Sequence, residues 1–215
     1  IPGVAGKPGN LNATSTSYTV SWSAVSGASH YGIQERVAGG SWSTISSLQS
    51  SRSITRTGRA NNTNYEYRVR ACNGYSWACS GYGSANSVKV RLKPGTPAAP
   101  SNVNSTSTIY TVNWVKPSGT VTYYDMQEKV NSGGWNTIVS GTSATSRSFS
   151  GKTNGYLYDY RVRACNQYSW ACSNYGSSGR VLVRLKPGVP TTMTNIISTS
   201  GSYTFSWVKP SGLVT

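Results

Sequence analysis

The chain has 215 residues, 36% of them hydrophobic, and sets 20 basic side chains against 5 acidic ones for a formal charge of +15. Five carboxylates and one histidine leave little material for acid–base catalysis, and no hydrophobic run approaches the ~20 residues of a membrane helix. The positive charge predicts attraction to polyanions and does not bear on fold. Tyrosine (15) and tryptophan (7) are abundant, and each buries enough area for cores of about ninety residues to be feasible.

In chain order, Lys7 to Asn12 opens on Lys-Pro-Gly and is expected to be loop. Ser17 to Ser23 reads as the first strand, with Tyr18, Val20 and Trp22 on one face. After the Ser26-Gly27 turn comes YGIQERV, which turns Tyr31 and Ile33 inward and Gln34 and Arg36 outward. Gly39-Gly40 predicts a hairpin turn into Ser41 to Ile45. A short strand is expected around Ile54. From Tyr65 the alternation is unbroken: Tyr65, Tyr67, Val69 and Ala71 share one face, Glu66, Arg68, Arg70 and Cys72 the other. The segment GYGSANS after Cys79 is irregular. Val88, Val90 and Leu92 then alternate with Lys89, Arg91 and Lys93 in a final strand. No segment has helical periodicity, so the chain reads as all-β.

The stretch YEYRVRACNGYSWAC, Tyr65 to Cys79, returns as YDYRVRACNQYSWAC, Tyr158 to Cys172, and both cysteines recur at a spacing of 93 residues. A copy of that length is a whole domain rather than a solenoid repeat. The organisation expected is one domain over 1–94, a second over 95–187, and the start of a third, incomplete one over 188–215. Tyr203, Phe205 and Trp207 would be the inward face of a strand in that last piece, completed by a longer parent protein or by a neighbouring copy. The start, IPGVAGKPGN, lacks a signal-peptide core, so the chain is read as mature or as a fragment. Strand parity across a hairpin predicts disulfides Cys72–Cys79 and Cys165–Cys172, each closing about eight residues for roughly 2.5 kcal/mol on the loop-entropy estimate. Paired cysteines in turn point to an oxidising compartment, extracellular or at the cell surface.

The series Tyr18-x-Val20-x-Trp22, Tyr31-x-Ile33 and Tyr65-x-Tyr67-x-Val69-x-Ala71-x-Asn73 resembles the fibronectin type III domain. The second copy matches through Tyr110, Val112, Trp114, Tyr124, Met126, Tyr158, Tyr160, Val162, Ala164 and Asn166. RVRACN with a second cysteine soon after looks like such modules of large bacterial surface and secreted proteins. The resemblance implies tandem immunoglobulin-like sandwiches with Greek-key connections, used as extracellular spacer and adhesion modules that bind through loops at the sandwich ends. One departure concerns the corner before the long strand, where Arg59 and Lys152 stand in place of the leucine the family often carries. The proline-bearing joints Leu92 to Pro100 and Leu185 to Pro190 predict a semi-rigid rod.

No motif for a metal, a phosphate or a dinucleotide occurs, so neither cofactor nor catalytic residue is assigned and the chain is read as non-enzymatic. Glu35 and Glu128, in QERV and QEKV, are expected at the core margin, each paired with a basic residue. Two candidate sites remain. One is the loop Tyr75, Ser76, Trp77, repeated as Tyr168, Ser169, Trp170, whose rings suit stacking on a sugar or anchoring a protein. The other is a basic face of Arg36, Arg68, Arg70, Lys89 and Arg91 in the first copy and Arg161 and Arg163 in the second. That face is read first as solvated, its long side chains covering neighbouring aromatic rings, and otherwise as a strip for anionic polysaccharide, lipopolysaccharide or extracellular nucleic acid; a neutral polysaccharide is the candidate for the loop. Nucleic acid would want aromatics interleaved with the charges, which the outward positions of these strands do not carry. The function expected is a structural or adhesive segment joined to other domains of its parent or to copies of itself, with a carbohydrate-binding accessory module as the alternative. Non-reducing peptide mapping should return the two intra-copy disulfides; free thiols or a linkage between copies overturns that pairing.

Overall fold

The computed structural model describes residues 1–9, 11–101, 103–191, 201 and 207–210. They form two compact units, each centred on one β-sandwich. In the first, β1 (Leu11–Ala13), β2 (Tyr18–Ser21), β3 (His30–Val37), β4 (Ser43–Gln49), β5 (Ser53–Arg56), β6 (Asn64–Cys72) and β7 (Asn86–Val90) make two sheets. One runs in the order β1-β7-β6-β3-β4 and the other pairs β2 with β5. The connections β2 to β3, β4 to β5 and β5 to β6 change sheets, which is the immunoglobulin-like Greek key that the family resemblance implies. The second sandwich repeats this with β8 (Val103–Ser105), β9 (Tyr110–Asn113), β10 (Tyr123–Val130), β11 (Asn136–Thr142), β12 (Ser146–Phe149), β13 (Leu157–Cys165) and β14 (Gly179–Val183). Its sheets run β11-β10-β13-β14-β8 and β12-β9.

Alternation decides the core. Along β6 the buried positions are Tyr65, Tyr67, Val69 and Ala71, as the period-2 pattern requires, and Ile33 of β3 and Val20 of β2 close on them from the two sheets. Trp22 and Trp114 are buried, each edge-on to a tyrosine, Tyr31 and Tyr124, at 5.8 Å. Trp22 lies one residue past β2, where its N–H still bonds to the Arg52 carbonyl. Both disulfides, Cys72–Cys79 and Cys165–Cys172, are formed inside their hairpins. Cys72 is buried although parity places it outward, because its bridge to Cys79 folds the hairpin over it.

The Tyr65 hydroxyl accepts the Ala60 N–H (3.1 Å), and Tyr158 accepts that of Thr153 (2.9 Å). These tyrosine corners close despite the missing leucine. Arg59 lies over the Tyr65 ring at 5.0 Å and Lys152 over the Tyr158 ring at 4.5 Å, so a cation takes the packing place of the aliphatic side chain.

Three strand limits differ from the sequence reading. Leu11 and Asn12, expected as loop, belong with Ala13 to a strand that pairs in parallel with Val88–Val90, a contact set by the end of β7 rather than by local pattern. The strand after Gly39-Gly40 begins at Ser43, which leaves Trp42 ahead of it. The final strand stops at Val90, and Arg91 does not join the outer face: it is 6% exposed, with Nη1 bonded to the carbonyls of Val90 (2.8 Å) and Thr63 (3.4 Å). Of the expected third-domain strand, Tyr203 and Phe205 lie outside the described residues, and Trp207 is exposed.

Replacing Trp22 with Ala should cost about 3–5 kcal/mol in urea unfolding. Tyr65→Phe, which removes only the corner hydroxyl, should cost about 1 kcal/mol.

Candidate functional site

The chemistry available to the chain is set by where its carboxylates go. Glu35 on β3 receives Arg56 Nε (2.9 Å), Arg59 Nη1 (2.7 Å) and the Tyr67 hydroxyl (2.6 Å). Tyr67 gives its one proton to Glu35, so the Tyr18 hydroxyl 2.8 Å away donates to Tyr67. In the second repeat Glu128 receives Lys152 Nζ and the Tyr160 hydroxyl (2.7 Å), with Tyr110 2.8 Å behind Tyr160. Glu66 pairs with Arg36 (2.6 Å), Asp125 with Arg163 (2.8 Å), and Asp159 with Arg180 (2.7 Å) and Lys129 (3.2 Å). All five carboxylates are thus held by cations.

Burial alone would raise the Glu35 carboxyl. The hydrogen bonds from Arg56 and Tyr67 and the charges of Arg56 and Arg59 outweigh it and hold the group below its ordinary value. Asp159 is likewise lowered, chiefly by its hydrogen bond from Arg180. Burial and then the hydrogen bond to the carboxylate push the Tyr67 and Tyr160 hydroxyls far up, and burial takes Tyr110 to about 12. His30 lies at the start of β3, its Nδ1 2.9 Å from the Ser29 hydroxyl. A groove of about 360 Å³ against β8 and β14 is lined by Val103, Asn104, Leu157, Arg180 and Leu182, and the guanidinium among them is already paired with Asp159.

The structure brings most of the basic face together, with aromatics that strand parity did not reveal. The guanidinium groups of Arg36 and Arg68 cover the Trp42 ring at 4.4 Å each, and Arg68 and Arg70 lie over Tyr82 at 4.8 and 5.3 Å. In the second repeat Lys129 and Arg161 lie over Trp135 at 5.1 and 4.2 Å, and Arg161 and Arg163 over Tyr175 at 4.9 and 5.1 Å. The outward positions of β3, β6 and β7 themselves carry no tyrosine, tryptophan or phenylalanine, and the long basic side chains cover rings that neighbour the strands. Trp42 and Tyr82 come from irregular segments flanking the strands. The signal that could have found them is their recurrence, at the repeat spacing, as Trp135 and Tyr175. Lys89 stays half-buried on β7, while Arg91 is withdrawn as described above.

The loop candidates are assembled too. Tyr75 and Trp77 stack at 5.4 Å and are 62% and 79% exposed, a high value for a tryptophan. Tyr168 and Trp170 stack at the same distance, with Tyr168 less exposed and Trp170 half-buried. The disulfide at the base of each loop fixes both ends of the segment carrying the rings, which lowers the entropy lost when they bind. Ser76 and Ser169 are exposed beside them.

No family model matches the chain. It is similar to two solved tandem segments of fibronectin type III domains. One is the chicken CNTN1 FN1-FN3 segment, at 14% identity, 85% of this chain and 67% of that chain, with a TM-score of 0.47. The other is a two-domain segment of chicken tenascin, at 20% identity, 82% of this chain and 99% of that chain, with a TM-score of 0.46.

The carboxylate shifts fix a pH dependence. A group whose value is lowered by folding stabilises fully above its unfolded value, about 4 for a carboxylate, and loses that contribution as pH falls through the folded value. Both sandwiches should therefore weaken on acidification, the first through Glu35 and the second through Asp159. Glu35→Gln should cost the first about 2–3 kcal/mol at neutral pH and flatten its acid limb alone. Amide hydrogen exchange resolved by repeat measures both effects.

Proposed function

We propose that the chain is a non-catalytic extracellular segment, structural or adhesive, built of fibronectin type III-like modules within a larger surface or secreted assembly. The observation that carries this reading is the use of the ionisable groups. Arginine, lysine and tyrosine engage all five carboxylates, and all four cysteines are in disulfides. A general base needs a carboxylate or imidazole within reach of a bound substrate, and a nucleophile needs a free thiolate or a base beside its hydroxyl. The single imidazole, His30, meets its neighbour Ser29 on the exposed surface. The charges here brace the sandwiches instead. The disulfides support an oxidising, extracellular setting. Among the described residues no helix is long and apolar enough to cross a membrane.

A second reading, a carbohydrate-binding accessory module, is favoured by one observation, the exposed Tyr75–Trp77 stack. An array of neutral glycans probed with wild type and with Trp77→Ala/Trp170→Ala separates the two. Under the structural reading neither protein binds. Binding by wild type that falls roughly tenfold or more in the variant establishes the accessory module and overturns the first reading.

A further inference from the structure

One difference between the two repeats changes what an arginine of the outer face is bonded to. In the second, Asp125 is 4% exposed and sits on β10 at a bulge in its pairing with β11. Its carboxylate collects Arg163 Nε (2.9 Å) and Nη2 (2.8 Å) through Oδ2, and the Ser140 hydroxyl and Gly141 N–H (both 3.1 Å) through Oδ1. That is a complete carboxylate-binding arrangement, occupied by the chain's own side chain. In the first repeat the same bulge lies between Tyr31 and Ile33, Arg70 stands where Arg163 does and Ser47 where Ser140 does, but residue 32 is glycine. No carboxylate of the first repeat is left for Arg70, since Glu35 and Glu66 are held by Arg56, Arg59 and Arg36.

Arg70 shows the consequence. Its side chain lies on the bare backbone of Gly32: a Cβ there would stand 2.7 Å from Arg70 Nε and 3.0 Å from the Ser47 carbonyl oxygen. That Nε is buried and has no hydrogen-bond partner. An unmade bond on a charged donor is costly, and an incoming anion that draws the side chain off Gly32 recovers it. Arg68 stands beside it over the same Tyr82 ring, also without a carboxylate, its Nε donating to the Gln34 amide oxygen at 2.8 Å.

We propose that Arg68 and Arg70 of the first repeat, with Ser47, form a binding site for the carboxylates of an acidic polysaccharide, and that Asp125 closes the corresponding site of the second repeat. The ligand class follows from the face. Carboxylate is the group the second repeat already holds in this arrangement. Peptides recognised by sheets take an unpaired strand edge or side-chain pockets, whereas Arg68 and Arg70 stand on β6, which lies between β7 and β3 inside the sheet. Bases need bare ring faces, whereas Trp42 and Tyr82 are each covered by two guanidinium groups. An extended polymer of uronic acids presents carboxylates in series to arginines set on rings. This goes beyond the structural reading above and stands or falls independently of it.

The test is calorimetric titration of the whole chain with polygalacturonate at fixed salt, with polyglutamate and single-stranded DNA as competing probes. Near-UV circular dichroism confirms that each variant is folded. Arg70→Gln, and separately Arg68→Gln, should weaken binding about tenfold, while Arg163→Gln changes it by less than about twofold. Asp125→Asn, which keeps an acceptor for Ser140 and Gly141 but removes the charge, should add a second binding region per chain. Any of four results overturns the proposal: no binding by wild type, equal losses in Arg70→Gln and Arg163→Gln, tighter binding of polyglutamate or DNA than of polygalacturonate, or unchanged stoichiometry in Asp125→Asn.

Discussion

One carboxylate per repeat, Glu35 and Glu128, holds the margin of each sandwich together. The cores are built largely of tyrosine, which supplies apolar area but carries a hydroxyl that must be bonded wherever it is buried. Tyr67 and Tyr160 are fully buried, each on the five-stranded sheet of its own sandwich; Tyr18 and Tyr110 stand on the two-stranded sheets opposite. Their hydroxyls meet, and the resulting chain of donors needs an acceptor at its end. Glu35 and Glu128 provide it from β3 and β10, and the cations from the corner before β6 and β13 neutralise them. A glutamate so placed without a cation would be a buried charge, and the cation without the glutamate would have little reason to lie on the corner tyrosine. Core, corner and inter-sheet contact thus depend on the same group.

The duplication shows which parts of this arrangement are fixed and which are free. The glutamate, both tyrosines and a cation at the corner are present twice. Around them the fillings change. Arg56, which bonds both oxygens of Glu35, is replaced by Phe149, whose ring stacks on Tyr160 at 4.7 Å. A two-pronged hydrogen bond to the glutamate and a ring stacked on the tyrosine thus occupy corresponding positions of the two repeats. On the outer face the exchange runs the other way: Gly32 becomes Asp125, and Ser87 becomes Arg180, which pairs with Asp159. The second repeat therefore balances charges internally that the first leaves to solvent or to a ligand.

Much of the fold was legible because β-structure repeats every two residues. The alternation from Tyr65 to Ala71 states which side chains face inward, and the copy at 93 residues fixes the domain as the unit. The disulfides followed from the same parity. Other features have no local signature. The strand Leu11–Ala13 exists because β7 offers it an edge, Arg91 turns inward because carbonyls at the end of β7 and at Thr63 face it, and Trp42 and Tyr82 reach the outer sheet from segments without periodicity.

By itself, then, the sequence determined an all-β chain of copied sandwiches, its inward-facing residues, its cysteine pairs and a pair of glutamates in need of cations. These are properties of spacing along one strand and of charge that burial does not tolerate alone. Only the tertiary structure decided which cation meets which carboxylate. That choice depends on residues far apart in the chain arriving on neighbouring strands: Glu35 beside Arg56 and Arg59, and Asp125 beside Arg163 where Gly32 leaves Arg70 without a carboxylate. Net charge counts arginines without saying which are already neutralised, and the difference between a braced surface and one able to bind an anion is settled over a few ångströms across strands.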